Sequence, residues 1–440
     1  MQINLSNHTK IKVEAINDKL HLTLYEIMKG IIPKDEVLKL IKKLLNIPEN
    51  NIHISSKDKD LIIKIMDSPK LPDQHEIIDI ISAVLSQILP LYLKNSITER
   101  NLIYITEKSG IPLMGSIYFG IIDRGTNLIQ VRPITGCLLN CPFCSVDEGK
   151  RSKTRFTDYI ISASYLIEET KNIIDYKGIS DVEIHIDGQS EPTLYPFLPE
   201  LITEFAKDPR IDVISMQTNG VPLNSNYLQK LEQSGLTRIN LSINSLNPKL
   251  AQYLAGSATY DIEHIKQIAN HIANSSIKLL VSPLWIPGIN DEDVQEIIQF
   301  VLDLNIKSNF PILGIQNYLK YKFGRKMHAV KMANKKKFHD KLREWEESFD
   351  IHPLLLSPKD FGTHPAKTYP KALKKGGKIE AEIIIPGRIS SKYENRQEMI
   401  GRANNRLIQI MNSKSQIGDR VLVKITNNKD NINYASEIYH

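Results

Sequence analysis

The sequence predicts an α/β protein: a partial (β/α)6 barrel of TIM type, preceded by a small N-terminal α/β domain and followed by an OB-like β-barrel. Three observations carry this expectation. Between Asn127 and His352, six short apolar runs alternate with longer stretches of helical periodicity, the pattern of repeated βα units. All three cysteines fall in one short segment directly after the first run. Beyond Gly376 the helical periodicity gives way to short strand-like runs separated by Gly, Asn and Asp turns.

The chain has 440 residues, room for two or three domains, and its 41% hydrophobic and 24% charged content excludes a mainly disordered or collagen-like chain. The start MQINLSNHTK carries no secretory signal, so the cytoplasm is expected. The most apolar stretch, His75 to Leu93, is broken by Asp79, Ser82, Gln87 and Pro90. Its periodicity through Ile77, Ile78, Ile81, Val84, Leu85 and Ile88 predicts an amphipathic helix on a soluble core, with no membrane span.

The elements divide as follows. Residues 1–125 form the N-terminal α/β domain and a β-rich connection, with a helical pattern from Val37 to Leu45 and strand-like alternation around Asn51 to Ile65, interrupted by SSKDKD. Residues 126–352 form the partial barrel. Its strands are LIQVRPI, DVEIHID, DVISMQT, RINLSI, KLLVSPL and FPILGIQ. Its helices are Asp158–Tyr176, Leu198–Lys207, Tyr227–Ser234, Asp261–Asn274 and Asp291–Leu304. Residues 353–371 form a Pro-rich linker, since four prolines between His352 and Pro370 favour an extended connection. Residues 372–440 carry strands over Lys378–Ile385, Leu407–Met411, Val421–Thr426 and Asn433–Ile438, the spacing of a small antiparallel barrel of OB type.

Charge is uneven along the chain. The net charge is +6, but Lys320 to His440 holds 25 basic and 13 acidic residues, +12, leaving −6 on the first 319. The last third is therefore a candidate surface for a polyanion.

The segment GCLLNCPFCSVDEG sets Cys137, Cys141 and Cys144 in a CxxxCxxC arrangement after the first barrel strand, where a β/α barrel places its chemistry. Three thiolates on one loop can hold three irons of a 4Fe-4S cube and leave the fourth open to a non-protein ligand. A zinc site completed by a distant histidine is the alternative at this point.

With Phe143 before the last cysteine, the motif resembles the radical S-adenosylmethionine superfamily. The resemblance implies that Cys137, Cys141 and Cys144 bind a 4Fe-4S cluster whose open iron takes S-adenosylmethionine, and that a low-potential donor such as a ferredoxin supplies the electron. It also implies cofactor contacts at later strand ends. DGQSEP resembles the family's glycine-glycine-glutamate motif, with Gly188 permitting close approach and Glu191 accepting from the methionyl ammonium. QTNG, Gln217 to Gly220, resembles a frequent sequence at the third strand end. Ser242 and Asn244 match positions that contact ribose and carboxylate, and Pro287 and Gly288 fall in the stretch that resembles the adenine-binding one.

The substrate is expected to be RNA, most specifically tRNA. GIQNYLKYKFGRK interleaves Tyr318, Tyr321 and Phe323 with Lys320, Lys322, Arg325 and Lys326, a pattern suited to stacking bases beside phosphates. The C-terminal IGDRVLVKITNNKDNINYASEI resembles a TRAM domain, an RNA-binding module, which implies phosphate contacts from Arg388, Arg402, Arg406, Arg420 and Lys424. The alternatives are radical modification of a peptide, lipid precursor or cofactor precursor, and a non-catalytic, zinc-stabilised RNA-binding module.

Overall fold

The computed structural model describes residues 2–4, 11–45, 52–57, 60–65, 76–77, 79–80, 84, 88–89, 91–390 and 396–439. The chain divides into two compact units, residues 1–104 and 105–440.

In the first unit, β1 (Gln2–Asn4) pairs with β6 (Asp60–Ile65), which pairs with β5 (Ile52–Lys57). A second antiparallel run joins β2 (Ile11–Ile16), β3 (Lys19–Leu24), β4 (Met28–Pro33), β7 (Leu93–Asn95) and β8 (Asn101–Ile105). Helix α1 (Lys34–Leu45) buries Val37, Ile41 and Leu45, as its periodicity requires. The β2–β4 strands were not expected, although a two-residue hairpin signal is present: Asn17, at φ +52°, and Asp18 separate two alternating runs. Of the helix expected over His75–Leu93, Ile77, Val84 and Ile88 are buried, while Ile78, Ile81 and Leu85 lie outside the described residues.

The second unit is built on β9 (Gly120–Asp123), β10 (Leu128–Arg132), β12 (Val182–Ile186), β13 (Ile211–Thr218), β14 (Arg238–Leu241) and β15 (Lys278–Val281). β9 is antiparallel to β10, and the rest run parallel in the order β10-β12-β13-β14-β15. A parallel bridge from Val281 to Leu313 and the parallel pair β16 (Leu284–Trp285) and β17 (Gln316–Asn317) extend this register to the sixth expected run. Intervening helices are α2 (Ala163–Lys177), α3 (Leu198–Ala206), α4 (Ser225–Gln233), α5 (Pro248–Ala255), α6 (Ile262–Ala273) and α7 (Asp291–Asp303), with α8 (Lys335–Phe349) following β17. The helix expected from Asp158 begins only at Ala163, because Thr157–Ile161 is a fully buried strand, β11. Among the described residues no helix is long and apolar enough to cross a membrane.

The parallel strands alternate with period two. Ile184, Ile186, Ile214, Met216, Ile239 and Leu241 are buried apolar residues. The intervening positions, Glu183, His185, Asp187, Ser215, Gln217, Arg238, Asn240 and Ser242, are polar. Of these polar residues Glu183, Ser215 and Arg238 are buried, while His185, Asp187, Gln217 and Ser242 border a cleft.

The Pro-rich segment is pinned along the sheet edge. Asn127 N–H donates to the His364 carbonyl at 3.1 Å and Ala366 N–H to the Gly125 carbonyl at 2.9 Å. The Asp123 carboxylate, fully buried, accepts from Tyr369 N–H at 2.6 Å and pairs with the equally buried Lys177 ammonium at 2.9 Å, which also donates to the Lys367 carbonyl.

The C-terminal strands β18 (Lys378–Pro386), β19 (Gln397–Ala403), β20 (Arg406–Ser413), β21 (Arg420–Asn427) and β22 (Tyr434–Glu437) close a five-stranded barrel in the order β18-β19-β20-β22-β21. Ala381, Ile383, Met399, Ile408, Ile410, Val423 and Ile425 fill it. The expectation of a wholly antiparallel barrel is corrected at one pair: β20 and β22 run parallel, because β21 crosses over to pair with β18. Strand β19 also escaped the sequence reading; Asn404 and Asn405, both at positive φ, form the tight turn that leads from it into β20.

Lys177→Met leaves the Asp123 carboxylate buried without a cation and is expected to cost about 3–5 kcal/mol, read as a lowered midpoint in chemical denaturation. An unchanged midpoint would show that the backbone donors alone hold Asp123.

Candidate metal centre and ligand cleft

The cysteine loop leaves the carboxyl end of β10 and is held by three neighbours. Gly136 bridges to Ser190, and Glu191 N–H donates to the Gly136 carbonyl at 2.9 Å, which ties the loop to the end of β12. On a second side Asn140 N–H donates to the Ala255 carbonyl at 2.9 Å at the end of α5. The α5 cap, Gly256 at φ +61°, lies so close that a Cβ there would overlap the Asn140 carbonyl. On the third side Arg325 N–H donates to the Cys144 carbonyl at 2.8 Å, and its guanidinium pairs with Asp147 at 2.9 Å. Within the loop, the other Asp147 oxygen accepts from the Ser152 and Thr154 hydroxyls and from the amides of Lys153 and Thr154.

Two of the three sulphurs meet backbone and amide donors. Leu139 N–H points at Cys137 Sγ at 3.4 Å, Asn219 Nδ2 at the same sulphur at 3.6 Å, and Glu148 N–H at Cys144 Sγ at 3.3 Å. Burial pushes all three thiols up, Cys141 to about 12. The protein alone therefore keeps them protonated, and a cation bound at the loop would release those protons and turn the same N–H groups into thiolate stabilisers. The donor set suits a cluster that spreads its thiolates over separate irons.

A cleft opens over the loop in two adjoining lobes, of about 180 and 390 Å³. Phe143, Ser190, Gln217, Ser242 and Asn244 border both lobes. Cys137, Glu191 and Asn219 face the smaller lobe, and Cys144, His185, Asp187, Gly188 and Tyr321 the larger. Glu191 is 2% exposed. One of its oxygens accepts from Thr193 N–H and from the hydroxyls of Thr193 and Thr218, and the other from Asn219 N–H at 2.8 Å. Burial raises its pKa despite these donors. Asn244 lends its side-chain oxygen to Leu284 N–H at 2.9 Å while remaining on the cleft wall.

Other expected site residues lie elsewhere. Pro287 and Gly288 are not on the wall of either lobe, and Gly288 is exposed. The nearby Asn290, fully buried, locks that turn through the Ile286 amide and the carbonyls of Asn244 and Leu284. Tyr318 is fully buried, its hydroxyl accepts from Met327 N–H, and it backs the wall of the larger lobe. Tyr321, Lys322 and Lys326 are exposed, and Lys320 and Phe323 are half-buried. Arg402 pairs with Glu382 at 3.0 Å and Arg420 with Glu380 at 3.3 Å. Arg406 is buried over the Tyr369 ring, whereas Lys424 is exposed. Arg388 corrects the expectation of a phosphate contact outright: it is 0% exposed and all three of its guanidinium nitrogens donate to protein acceptors.

A column of polar groups escaped the sequence reading. His185 Nδ1 lies 2.7 Å from Ser215 Oγ, which donates to Glu183 at 2.6 Å, and Glu183 is ion-paired with Arg238. Since Ser215 spends its proton on Glu183, it accepts from His185 Nδ1–H, leaving Nε2 as the acceptor of a neutral ring. The signal was available: polar residues at alternate positions of DVEIHID, DVISMQT and RINLSI, strands otherwise apolar.

Residues 131–301 match the family model described as "Radical SAM superfamily". The chain is 39% identical over 438 residues to "Uncharacterized protein MJ0103" of Methanocaldococcus jannaschii, covering 94% of this chain and 98% of that one. It is 29% identical over 189 residues to a GTP 3',8-cyclase of Peptoclostridium acidaminophilum, covering 42% of this chain and 55% of that enzyme, so it spans about half the cyclase's length. Among solved structures, Streptococcus suis SuiB is similar at 14% identity and a TM-score of 0.40, over 78% of this chain and 69% of that one.

Burial also lowers the His185 pKa. Below the ordinary histidine value of about 6.5 the unfolded chain takes up a proton that the folded chain still refuses, so stability falls with pH through that window. The His185 ring resonances are expected to titrate with a midpoint under 6.5 in the folded protein. A midpoint at or above that value would overturn the neutral relay.

Proposed function

The chain belongs to the radical S-adenosylmethionine superfamily, whose members use a 4Fe-4S cluster and S-adenosylmethionine, and from that premise we propose that Cys137, Cys141 and Cys144 hold the cluster for a radical modification of RNA. One observation carries the catalytic half: three thiols on one loop face a polar cleft at the carboxyl ends of parallel strands, with a buried carboxylate beside them. A 4Fe-4S cluster held there by Cys137, Cys141 and Cys144, reduced by a low-potential donor, would supply the electron for reductive cleavage of S-adenosylmethionine. On this reading the open parallel sheet is a partial (β/α)6 barrel.

The chain's own residues then have distinct tasks. The smaller lobe, with Glu191, Gln217, Ser242 and Asn244, offers acceptors and donors for an amino acid and a ribose. Glu191 holds the Asn219 amide in place, and Asn219 in turn faces the Cys137 sulphur. Phe143 sets an apolar face beside the cysteines on the wall of both lobes. The larger lobe is assigned to the substrate, where His185 Nε2 and the amides of Gln316 and Asn317 orient a hydrogen-bonding group and limit water beside a reactive radical.

RNA is favoured by the +12 balance of the last third and by the exposed Tyr321, Lys322, Lys326 and Lys424. The closed C-terminal barrel agrees with an OB-type, TRAM-like module. The second reading is a small precursor as substrate. Two observations favour it: the match to enzymes named GTP 3',8-cyclase, and the ion pairing that engages Arg402 and Arg420.

Anaerobic reconstitution with iron and sulphide, then S-adenosylmethionine and dithionite, is expected to yield 5′-deoxyadenosine from wild type and none from Cys141→Ala. Stoichiometric zinc with no cluster would overturn the catalytic reading. For the substrate, tRNA binding is expected to weaken when Lys322, Lys326 and Lys424 are all replaced by Gln, with a salt slope shallower by about 1 per lost phosphate contact. Binding unaltered by these replacements, or absent in wild type at low salt, would favour the small precursor.

A further inference from the structure

The connection that leaves β18 enters the interior of the metal centre's support. Arg388 Nε donates to the Thr157 carbonyl at 2.9 Å, one Nη pairs with Asp158 at 2.6 Å, and the other pairs with Glu148 and approaches Gln189 Oε1 at 3.3 Å. Arg388 and Asp158 are 0% exposed at the side chain and Glu148 is 4% exposed. Two of these partners reach the cysteine loop. Glu148 is the residue whose N–H points at Cys144 Sγ, and Gln189 is the residue whose carbonyl accepts from Gly136, next to Cys137.

The backbone reinforces the same junction. Phe156 N–H donates to the Arg388 carbonyl at 3.2 Å, Ser390 N–H to the Thr154 carbonyl at 2.8 Å, and Arg155 bridges to Ile389. Behind Arg388, Glu398 of β19 is 1% exposed and accepts from the amides of Arg388 and Ile389 and from the Tyr118 hydroxyl at 2.7 Å. A module that only carried substrate to the cleft would need none of this; its contacts would be few and polar at the surface. A guanidinium shared by two buried carboxylates couples the cysteine loop to the connection after β18, because removing it takes the same cation from both Glu148 and Asp158.

We propose that the C-terminal barrel is a structural part of the metal centre, with Arg388 the positioning residue that fixes the Cys144 end of the cysteine loop. The inference rests on the cluster assignment above. Arg388 touches neither cofactor nor substrate; it acts through Glu148 and Gln189. The cysteine loop and the connection that leaves β18 are therefore held by one buried ion-pair network.

The test uses the full chain, reconstituted anaerobically, with iron content and the electron paramagnetic resonance spectrum of the reduced cluster, with and without S-adenosylmethionine, as readouts. Arg388→Met is expected to keep the far-ultraviolet circular dichroism of wild type, to lose most of its bound iron, and to show an altered line shape in the remainder. Arg388→Lys should restore part of both, and Lys378→Gln, exposed on the same barrel, should match wild type. Wild-type iron and spectrum in Arg388→Met would overturn the inference. If that variant fails to fold, Glu148→Gln decides: reduced iron or an altered spectrum supports the role, and wild-type values overturn it. A wild-type chain that takes up no cluster overturns the functional reading first, and this one with it.

Discussion

The cleft depends on one buried carboxylate being fully satisfied. Ionised Glu191, removed from water, costs several kcal/mol unless its lone pairs find donors. Here those donors come from its own turn and from the end of the next strand, through Thr193, Thr218 and the Asn219 amide. Satisfying Glu191 therefore holds two strand-end loops in one arrangement. That arrangement aims Asn219 at the first cysteine sulphur and leaves Glu191 on the wall of the smaller lobe.

The same logic runs through the polar face of the sheet. Glu183, Ser215, His185 and Arg238 form a chain in which Ser215 donates to Glu183 and Glu183 pairs with Arg238, and Phe310 and Phe361 cover the Arg238 guanidinium at its far end. Such a column is tolerable only because its members fall on neighbouring parallel strands in matching register: Glu183 beside Val213, His185 beside Ser215, Ser215 beside Arg238. A fixed tautomer of His185 follows from this register and not from any property of the histidine alone.

The cysteine loop is tied internally through Asp147, and α5, the Ser190–Glu191 turn, Arg325 and Arg388 hold it from outside. Three of these supports could not be read from the sequence. Helix α5 is short, Arg325 sits in a segment that reads as a basic aromatic surface, and Arg388 lies about 240 residues from the loop it serves. A basic residue in a β-rich, positively charged segment looks the same in sequence whether it meets phosphate or a buried carboxylate. Only the partner's position distinguishes the two.

The cysteine spacing, the alternation of apolar runs with helical stretches and the Gly, Asn and Asp turns are local patterns, and they determined the parallel α/β unit, the loop with the three thiols and the presence of a terminal barrel. Strand-end positions of Glu191, Ser242 and Asn244 followed, because a strand's direction sets which residues reach the cleft. Tertiary structure decided the rest. It removed Arg388, Arg406 and Tyr318 from the surface, placed Pro287 and Gly288 away from the cleft wall, bound the Pro-rich segment along Asp123 and Lys177, and made β20 parallel to β22. The physical reason is common to all of these: burial and ion pairing depend on groups brought together over long sequence separations, and no local pattern records them.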